Sequence, residues 1–565
     1  MLLTISPMTH RPLFLFSTLA ATALTTLSFS TPADACGGLF CDSSNPVNQA
    51  AERIVFAKND DGTVTAAIEV LYEGSATEFA WVLPVPAGKI AVGVSSKLAL
   101  DRLDAQSNPR YQLTQESDDC GFDTDSATSG GDPRAPGSTP PGLGGVLVVA
   151  EGNAGPYLWS QITVSPDLPK PADAAIMWLK ENGFDVTRLG SDLLGEYLEE
   201  GMNLVAFKLQ KGKTTGSIRP VLITYPSDRP MIPIRPTAVA ANADMGIKVW
   251  VLGDSRAIPE NFRHLELNEA LIDWFTPTSN YNDVVIAAAN EAGGQGFVTE
   301  QSGPAAAFAE TLYGEFEAQL WNELRTGRFE SLQAFFERAR DSFAQYDGFN
   351  DVMLDPKFVP LREGATNETF LRCISCYFES NVAVRNAAYP ETDYPGKTDP
   401  IHTTDIDAFL ARFYTLVIEP LELTRALFED HSSVTRFYTT LSPDEMKVDP
   451  LFNFNPELPD VDNLHVARQI LACEDDRWRV VLPQGVIIHG EGFGTWPVTL
   501  NQDLPVNLRV TQLSTKGDGK VIQDNRETFA AMLTDLKLGE TASQPMNPSM
   551  GNDEDPGDGK QGVTT

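Results

Sequence analysis

Asn203-Leu-Val-Ala-Phe-Lys-Leu209, Val221-Leu-Ile-Thr-Tyr225, Met231-Ile-Pro-Ile234 and Ile247-Lys-Val-Trp-Val-Leu252 follow one another within a single stretch of the chain. Each run is about a strand long, rich in β-branched or aromatic residues, and set off by Gly, Pro, Asp or Asn. Val221, Ile223 and Tyr225 share one face of an extended chain, as do Ile247, Val249 and Val251, which is the period of half-buried strands. Pro233 and Pro236 cannot donate ladder hydrogen bonds, so the third run is expected at an edge or a bulge. The stretch spells a sheet. It carries no pattern of a site.

Toward the N-terminus, Arg53-Ile-Val-Phe-Ala-Lys58 and Thr63-Val-Thr-Ala-Ala-Ile-Glu-Val-Leu-Tyr72 flank Asn59-Asp-Asp-Gly62. Asp-Gly supplies the positive φ of a hairpin turn. Phe79-Ala-Trp-Val-Leu-Pro-Val-Pro86 reads as a third strand, ended by prolines. Residues 115–145 are mostly Ser, Asp, Gly, Thr and Pro, a composition that predicts a disordered surface loop. A helix is predicted over Ala172–Asn182, with Gly183 as its stop.

Toward the C-terminus, Asp283–Ala292 reads as helix and Gly296–Thr299 as strand. Apolar residues then recur at helical spacing over Ala305–Tyr346 and Ile406–Phe428, with a kink or break expected at Pro420. Ser442-Pro-Asp-Glu445 has the form of a capping box with proline at the first helical position, predicting a short helix that Pro450 ends. Arg477–Ile488 reads as a strand, Val498–Leu513 as two more, and Glu527–Leu538 as a last helix. The class is therefore α+β. After a signal peptide (1–35), a mainly antiparallel β-rich domain with covering helices spans 36–303 and a helix-rich region 304–475. A closing β/α segment spans 476–539, and a disordered tail 540–565.

The 565 residues include 77 acids against 42 bases, a formal charge of −35. Such a field repels phosphate backbones and anionic lipid heads, so nucleic acid is excluded as a partner and cations, neutral polymers or basic proteins are favoured. Leu13 to about Leu27 is apolar, and Ala33-Asp-Ala35 has the small-x-small form that a signal peptidase accepts. Cleavage there would leave 565 − 35 = 530 residues beginning at Cys36. A lipid anchor on Cys36 is disfavoured by Asp34 and by Ala33. No later stretch is long and apolar enough to predict a transmembrane span. Cys36, Cys41, Cys120, Cys373, Cys376 and Cys473 all follow the cleavage site, and an even number in an oxidising compartment predicts disulfides. Lipidating Cys36 would leave an odd five. The connectivity stays open.

Six blocks carry a resemblance: Ala35-Cys-Gly-Gly-Leu-Phe-Cys41, Glu52-Arg-Ile-Val-Phe56, Phe79-Ala-Trp-Val-Leu-Pro-Val-Pro86, Glu200-Gly-Met-Asn-Leu-Val-Ala-Phe-Lys-Leu209, Val249-Trp-Val-Leu-Gly253 and Glu291-Ala-Gly-Gly-Gln-Gly-Phe-Val-Thr-Glu300. Together they resemble an uncharacterised family of exported bacterial proteins, the domain of unknown function 2330, over residues 36 to about 303. The resemblance implies export and offers no catalytic residues to carry over.

Cys373-Ile-Ser-Cys376 has the spacing of a thiol–disulfide exchange pair, in which a helix start lowers the first thiol's pKa. The expected strand leading into the pair is missing, and Tyr377 replaces the His of a haem attachment. A structural disulfide is the plainer reading. A zinc site from Cys36, Cys41, Cys373 and Cys376 is disfavoured by an oxidising compartment. Gly253-Asp-Ser-Arg-Ala257 echoes a nucleophile elbow around Ser255, but Ala257 stands where the second Gly belongs and Pro259 where a helix should begin. His264, His402, His431, His465 and His489 stand in no metal-ligand spacing. Gly490-Glu-Gly-Phe-Gly494 has no Lys and reads as a turn; Asp60-Asp61, Asp118-Asp119 and Asp553-Glu-Asp555 lack a calcium loop's ligand spacing. Trp81, Trp159, Trp178, Trp250 and Trp274 read as core rather than as a binding platform.

No cofactor is implied. The expectation is an exported, non-enzymatic binding or structural protein of the bacterial envelope or surface, periplasmic or extracellular, with a partner and an oligomeric state that the sequence leaves open. A thiol–disulfide oxidoreductase using Cys373 and Cys376, and a hydrolase around Ser255, are the alternatives.

Overall fold

The computed structural model describes residues 48–73, 80–117, 146–165, 167–182, 184, 191–209, 219–239, 241–329, 332–355, 357–358, 371–372, 374, 382–385, 402–471, 477–492 and 494–541. All of them belong to one compact unit, Ala35–Thr565. Its class is α+β, with large sheets in the N-terminal half and helices concentrated between residues 306 and 429.

The Asp-Gly hairpin forms as expected: β1 (Asn48–Lys58) pairs antiparallel with β2 (Thr63–Glu73), and Gly62 takes φ +79°. The pair sits inside a ten-stranded sheet. From β2 the sheet runs outward through β9 (Val221–Pro226) to the edge strand β4 (Ala91–Val94). From β1 it runs through β10 (Ala241–Gly253), β16 (Ser433–Leu441), β13 (Gly296–Pro304), β12 (Arg263–Leu267), β21 (Asn507–Gln512) and β22 (Lys520–Asp524). It is a mixed sheet, because β1 lies parallel to β10 and β12 parallel to β13. β16 is flanked on both sides, and all nine of its residues are buried.

The second sheet has four antiparallel strands in the order β3 (Ala80–Pro86), β8 (Met202–Leu209), β7 (Tyr157–Val164), β6 (Val146–Ala154). Alternation along β1 and β2 turns Ile54, Phe56, Ala66 and Ile68 toward a core shared with Trp81, Phe207 and helix α2 (Pro171–Glu181). The opposite face turns Val55, Ala57, Trp250 and Leu252 into a second core beneath α1 (Lys97–Ser107). There they meet α5 (Ala306–Leu312), α6 (Glu315–Thr326), α7 (Leu332–Phe343), α8 (Phe349–Met353), α9 (Ile406–Phe413) and α10 (Glu419–Glu429).

A third core joins the β12–β21 end of the sheet to α4 (Tyr281–Glu291) and α11 (Arg526–Asp535). It also takes in a five-stranded sheet ordered β23 (Gly539–Thr541), β20 (Val486–Glu491), β19 (Arg477–Val481), β18 (Leu464–Leu471), β5 (Arg110–Ser117). Trp81, Trp178, Trp250 and Trp274 are buried in these cores, and Trp159 is half-buried.

The structure corrects four local expectations. Met231–Ile234 forms no strand: Pro233 within it has no N–H to donate, a single bridge joins Met231 to Leu451, and a 3₁₀ turn follows at Arg235–Val239. Ser442 opens a turn rather than a helix. Glu445 does reach back to the Ser442 N–H (2.8 Å), but the Ser442 hydroxyl is held by Asp244 instead of capping a helix. Arg477–Ile488 is a hairpin, β19 and β20, turning at Gly485 with φ +74°. Only β21 lies within Val498–Leu513; its partner β22 comes later.

Candidate functional site

Two constellations of polar groups stand out, and only one of them is open. The closed one crosses the helix-covered face of the central sheet. Arg436, fully buried on β16, is gripped by Glu300 of β13, by Asp104 of α1 (Nη1–Oδ1 2.9 Å) and by the Ser107 hydroxyl. Its guanidinium also lies 5.1 Å over the Trp250 ring. Glu300 accepts a second bond from the Tyr281 hydroxyl at 2.5 Å. Arg53 of β1 bonds Glu69 (Nε–Oε2 2.6 Å) and Asp101 (2.6 Å), while Lys248 reaches Asp104 at 3.0 Å. Every cation here faces acids of the sheet or of α1, so these bonds fasten α1 to the sheet and leave no charge for a ligand.

Beside this network, His465 of β18 stacks on Tyr111 of β5, ring centroids 4.6 Å apart, and sets Nδ1 2.6 Å from Glu269 Oε1. Burial works against the imidazolium, but the Glu269 bond and charge outweigh it and raise the His465 pKa.

The open constellation is a groove of about 500 Å³. Its floor and one wall come from Val92–Val94 of β4, its end from Asn153–Gly155 where β6 turns into β7, and its far wall from the α9–α10 helix. Pro420 shapes that wall. Proline has no N–H for the carbonyl four residues back, here Leu416, and its ring collides with that carbonyl in a regular helix. The chain widens into a π-helical turn over Tyr414–Ile418, and the Glu419 N–H bonds the Tyr414 carbonyl instead. The expected interruption at Pro420 is thus a widened turn inside a continuous helix. Arg219, almost wholly buried, donates Nη1 to the freed Leu416 carbonyl. Its own backbone is pinned by the Tyr157 hydroxyl, which donates to the Arg219 carbonyl at 2.6 Å. Gly348, at φ +77°, makes room for the guanidinium, because a Cβ there would strike Arg219 Nη2.

The widened helix turns Arg412, Thr415, Glu419 and Leu423 onto the groove in one stripe. Arg412, Thr415 and Leu423 are exposed, and neither Arg412 nor Glu419 is in an ion pair with another described residue. A smaller apolar pocket, about 190 Å³, opens between the two facing sheets at Phe56, Leu83, Tyr225 and Met231. Its one cation, Arg229, is already bound to Glu260 at 2.7 Å.

The residues singled out from sequence do not converge on either constellation. Cys36, Cys41, Cys120, Cys373, Cys376 and Cys473 lie outside the described residues, as do residues 118–145 and the tail from 542. Ser255 is half-buried in the turn between β10 and β11 (Ala257–Pro259). His431 sets its two nitrogens against the carbonyls of Leu427 (2.8 Å) and Lys58 (3.1 Å). Desolvation, with Arg256 and Arg509 adding to it, pushes His264 down to about 3, so it is neutral. His402 begins the short strand β15 (His402–Asp405), which lies parallel to β14 (Val382–Arg385). His489 is exposed, 3.8 Å from Glu540. Gly490 and Gly492 close β20 against Trp478, whose Nε1 donates to the Gly492 carbonyl at 2.8 Å. No three His, Cys, Asp or Glu side chains among the described residues are grouped to hold a metal ion. No described helix is long and apolar enough to cross a membrane. Sequence reading missed the groove, although Pro420 marked its wall.

A mixed-sheet α+β chain with an open groove beside its edge strand is the class that fold and site define. Residues 31–317, half of the chain, match the family model described as an uncharacterized protein conserved in bacteria, DUF2330. The chain belongs to that family. Searches of curated proteins and of solved structures found no match.

Proposed function

We propose that this protein is exported and works by binding, as a component of the bacterial envelope or surface, with the groove between β4 and the α9–α10 helix as its ligand site. The observation that carries the reading is the groove's wall. A π-helical turn, a buried arginine and a left-handed glycine together hold Arg412 and Glu419, unpaired among the described residues, over a volume that suits a small ligand or a peptide segment. Export is supported by the apolar segment ending at Ala35, the cysteines beyond it and the charge of −35.

Native mass spectrometry of the protein recovered from its host tests both parts. The expected mass is that of Cys36–Thr565, carrying a bound species that disappears in Gly93→Trp. A Cβ at Gly93 would meet only Leu222 Cβ within 4 Å, at 4.0 Å, and Gly93 lines the groove, so a large side chain there competes with the ligand for the groove's volume. A chain that keeps residues 1–35 overturns export. A bound species that persists unchanged in Gly93→Trp overturns the groove.

A further inference from the structure

We infer that the ligand of the groove is an extended peptide segment of a partner protein, added as a strand to the free edge of β4. This rests on the groove being the binding site. β4 ends the ten-stranded sheet and, among the described residues, pairs only with β9. The Ser95 N–H donates to the Pro220 carbonyl at 2.9 Å, which places residue 95 in a bonded pair with β9. In an antiparallel ladder bonded and non-bonded pairs alternate, so Gly93 and Ala91 also bond inward. Val92 and Val94 therefore turn their N–H and C=O groups outward, two residues apart. No backbone partner among the described residues meets them.

Both residues line the open groove, so the free edge lies along it, with the α9–α10 helix among its other walls. That is the chemistry of strand addition: backbone groups spaced as in a strand, with a side-chain wall opposite to choose the sequence. Gly93, between the two, carries no side chain to obstruct an approaching backbone. The four residues of β4 span about 13 Å at strand rise. The seven-residue step from Arg412 to Glu419 covers about 10 Å of helix. The segment that fits carries an acidic side chain for Arg412 and a basic one for Glu419, two or four residues apart on one side of the strand. An apolar residue covers Leu423.

The test is selection of a displayed library of random ten-residue peptides on the full chain, followed by affinity measurement with the enriched peptide. Expected are an enriched acidic–basic pair and a loss of at least about tenfold in affinity when the peptide is N-methylated at alternate residues. A comparable loss is expected in Val92→Pro. Proline is tolerated on an edge strand whose N–H faces outward, so this variant removes the edge donor and keeps the β9 ladder. Selection on Arg412→Glu should replace the enriched acidic residue with a basic one. Peptides that bind equally to Val92→Pro and Arg412→Glu, and that tolerate N-methylation, overturn strand addition. So does a library that yields nothing. If a bound species is still lost from Gly93→Trp in that case, the groove remains the site and only the peptide assignment falls.

Discussion

Replacing Glu52 with glutamine should stabilise the protein in alkali and leave it unchanged in acid. Glu52 lies on β1 on the face of Ile54 and Phe56, which turn to the apolar core shared with the second sheet, and only 6% of its surface is exposed. Among the described residues its one side-chain bond is long, 3.5 Å from Gln49 Nε2, and its neighbour Arg53 points to the other face of the sheet. Burial raises the Glu52 pKa from 4.5 to about 7, with the Gln49 bond opposing only in part. A raised folded pKa means that the native state binds the proton more tightly than the unfolded chain does. The contribution of Glu52 to stability is then greatest below pH 4.5, falls as pH rises from there, and levels off above about 7. The span of about 2.5 pKa units corresponds to about 3 kcal/mol.

Gln49 fits the neutral form. Its Oε1 is buried without a partner, and a protonated Glu52 can donate to it. A glutamine at 52 offers the same donor at every pH. Urea unfolding of wild type and Glu52→Gln, run side by side from pH 4 to pH 8, isolates this group because all other titrations cancel in the difference. The midpoints should coincide near pH 4 and separate in favour of the variant toward pH 8. A difference that is flat with pH, or a variant less stable at pH 8, would mean that Glu52 is native as a paired carboxylate and would refute the reasoning.

Glu300→Ala leaves Arg436 buried with one of its two acids gone, and should lower stability by about 3–5 kcal/mol, read as a fall in the urea midpoint. Gly348→Ala forces a side chain into a left-handed backbone and against Arg219; it should destabilise by more than about 1 kcal/mol in the same assay and weaken binding in the groove. His465 has a raised folded pKa, so its pairing with Glu269 stabilises fully below about pH 6.5 and fades as pH climbs through the folded value. His465→Gln should therefore lower the melting temperature at pH 5.5 more than at pH 8.5, and equal losses at both would show that the pair is not charged.

Local chemistry was legible wherever a residue's own preference agreed with its final place. Gly62 made the hairpin, Gly183 ended the α2 prediction near its observed end at Glu181, and the alternation in Val221–Tyr225 and Ile247–Leu252 produced β9 and β10. It failed where a distant partner overruled the local signal. Ser442 and Glu445 write a helix start, but Asp244, far away in sequence, takes the serine hydroxyl. Ser433-Val-Thr-Arg-Phe-Tyr-Thr-Thr-Leu441 carries an arginine and five hydroxyls and does not announce a central strand. It becomes one because Glu300 and Asp104 neutralise Arg436 from either side of the sheet–helix junction.

By itself, then, the sequence determined the α+β class, strands β1–β3, β8–β10 and β13, helices α2, α4, α5–α7 and α9–α11, and membership of the bacterial family. These follow from short-range periodicity and turn residues, which act within a few positions of the chain. The tertiary structure alone decided that β1 and β2 separate β9 from β10, that burial raises the pKa of Glu52, and that β4 and the α9–α10 helix line one groove. Strand order, burial of an ionisable group and the meeting of two walls of a groove each depend on residues hundreds of positions apart. Val92 and Arg412 approach the same space only because β4 caps one edge of the sheet and Pro420 widens the helix that packs beside it.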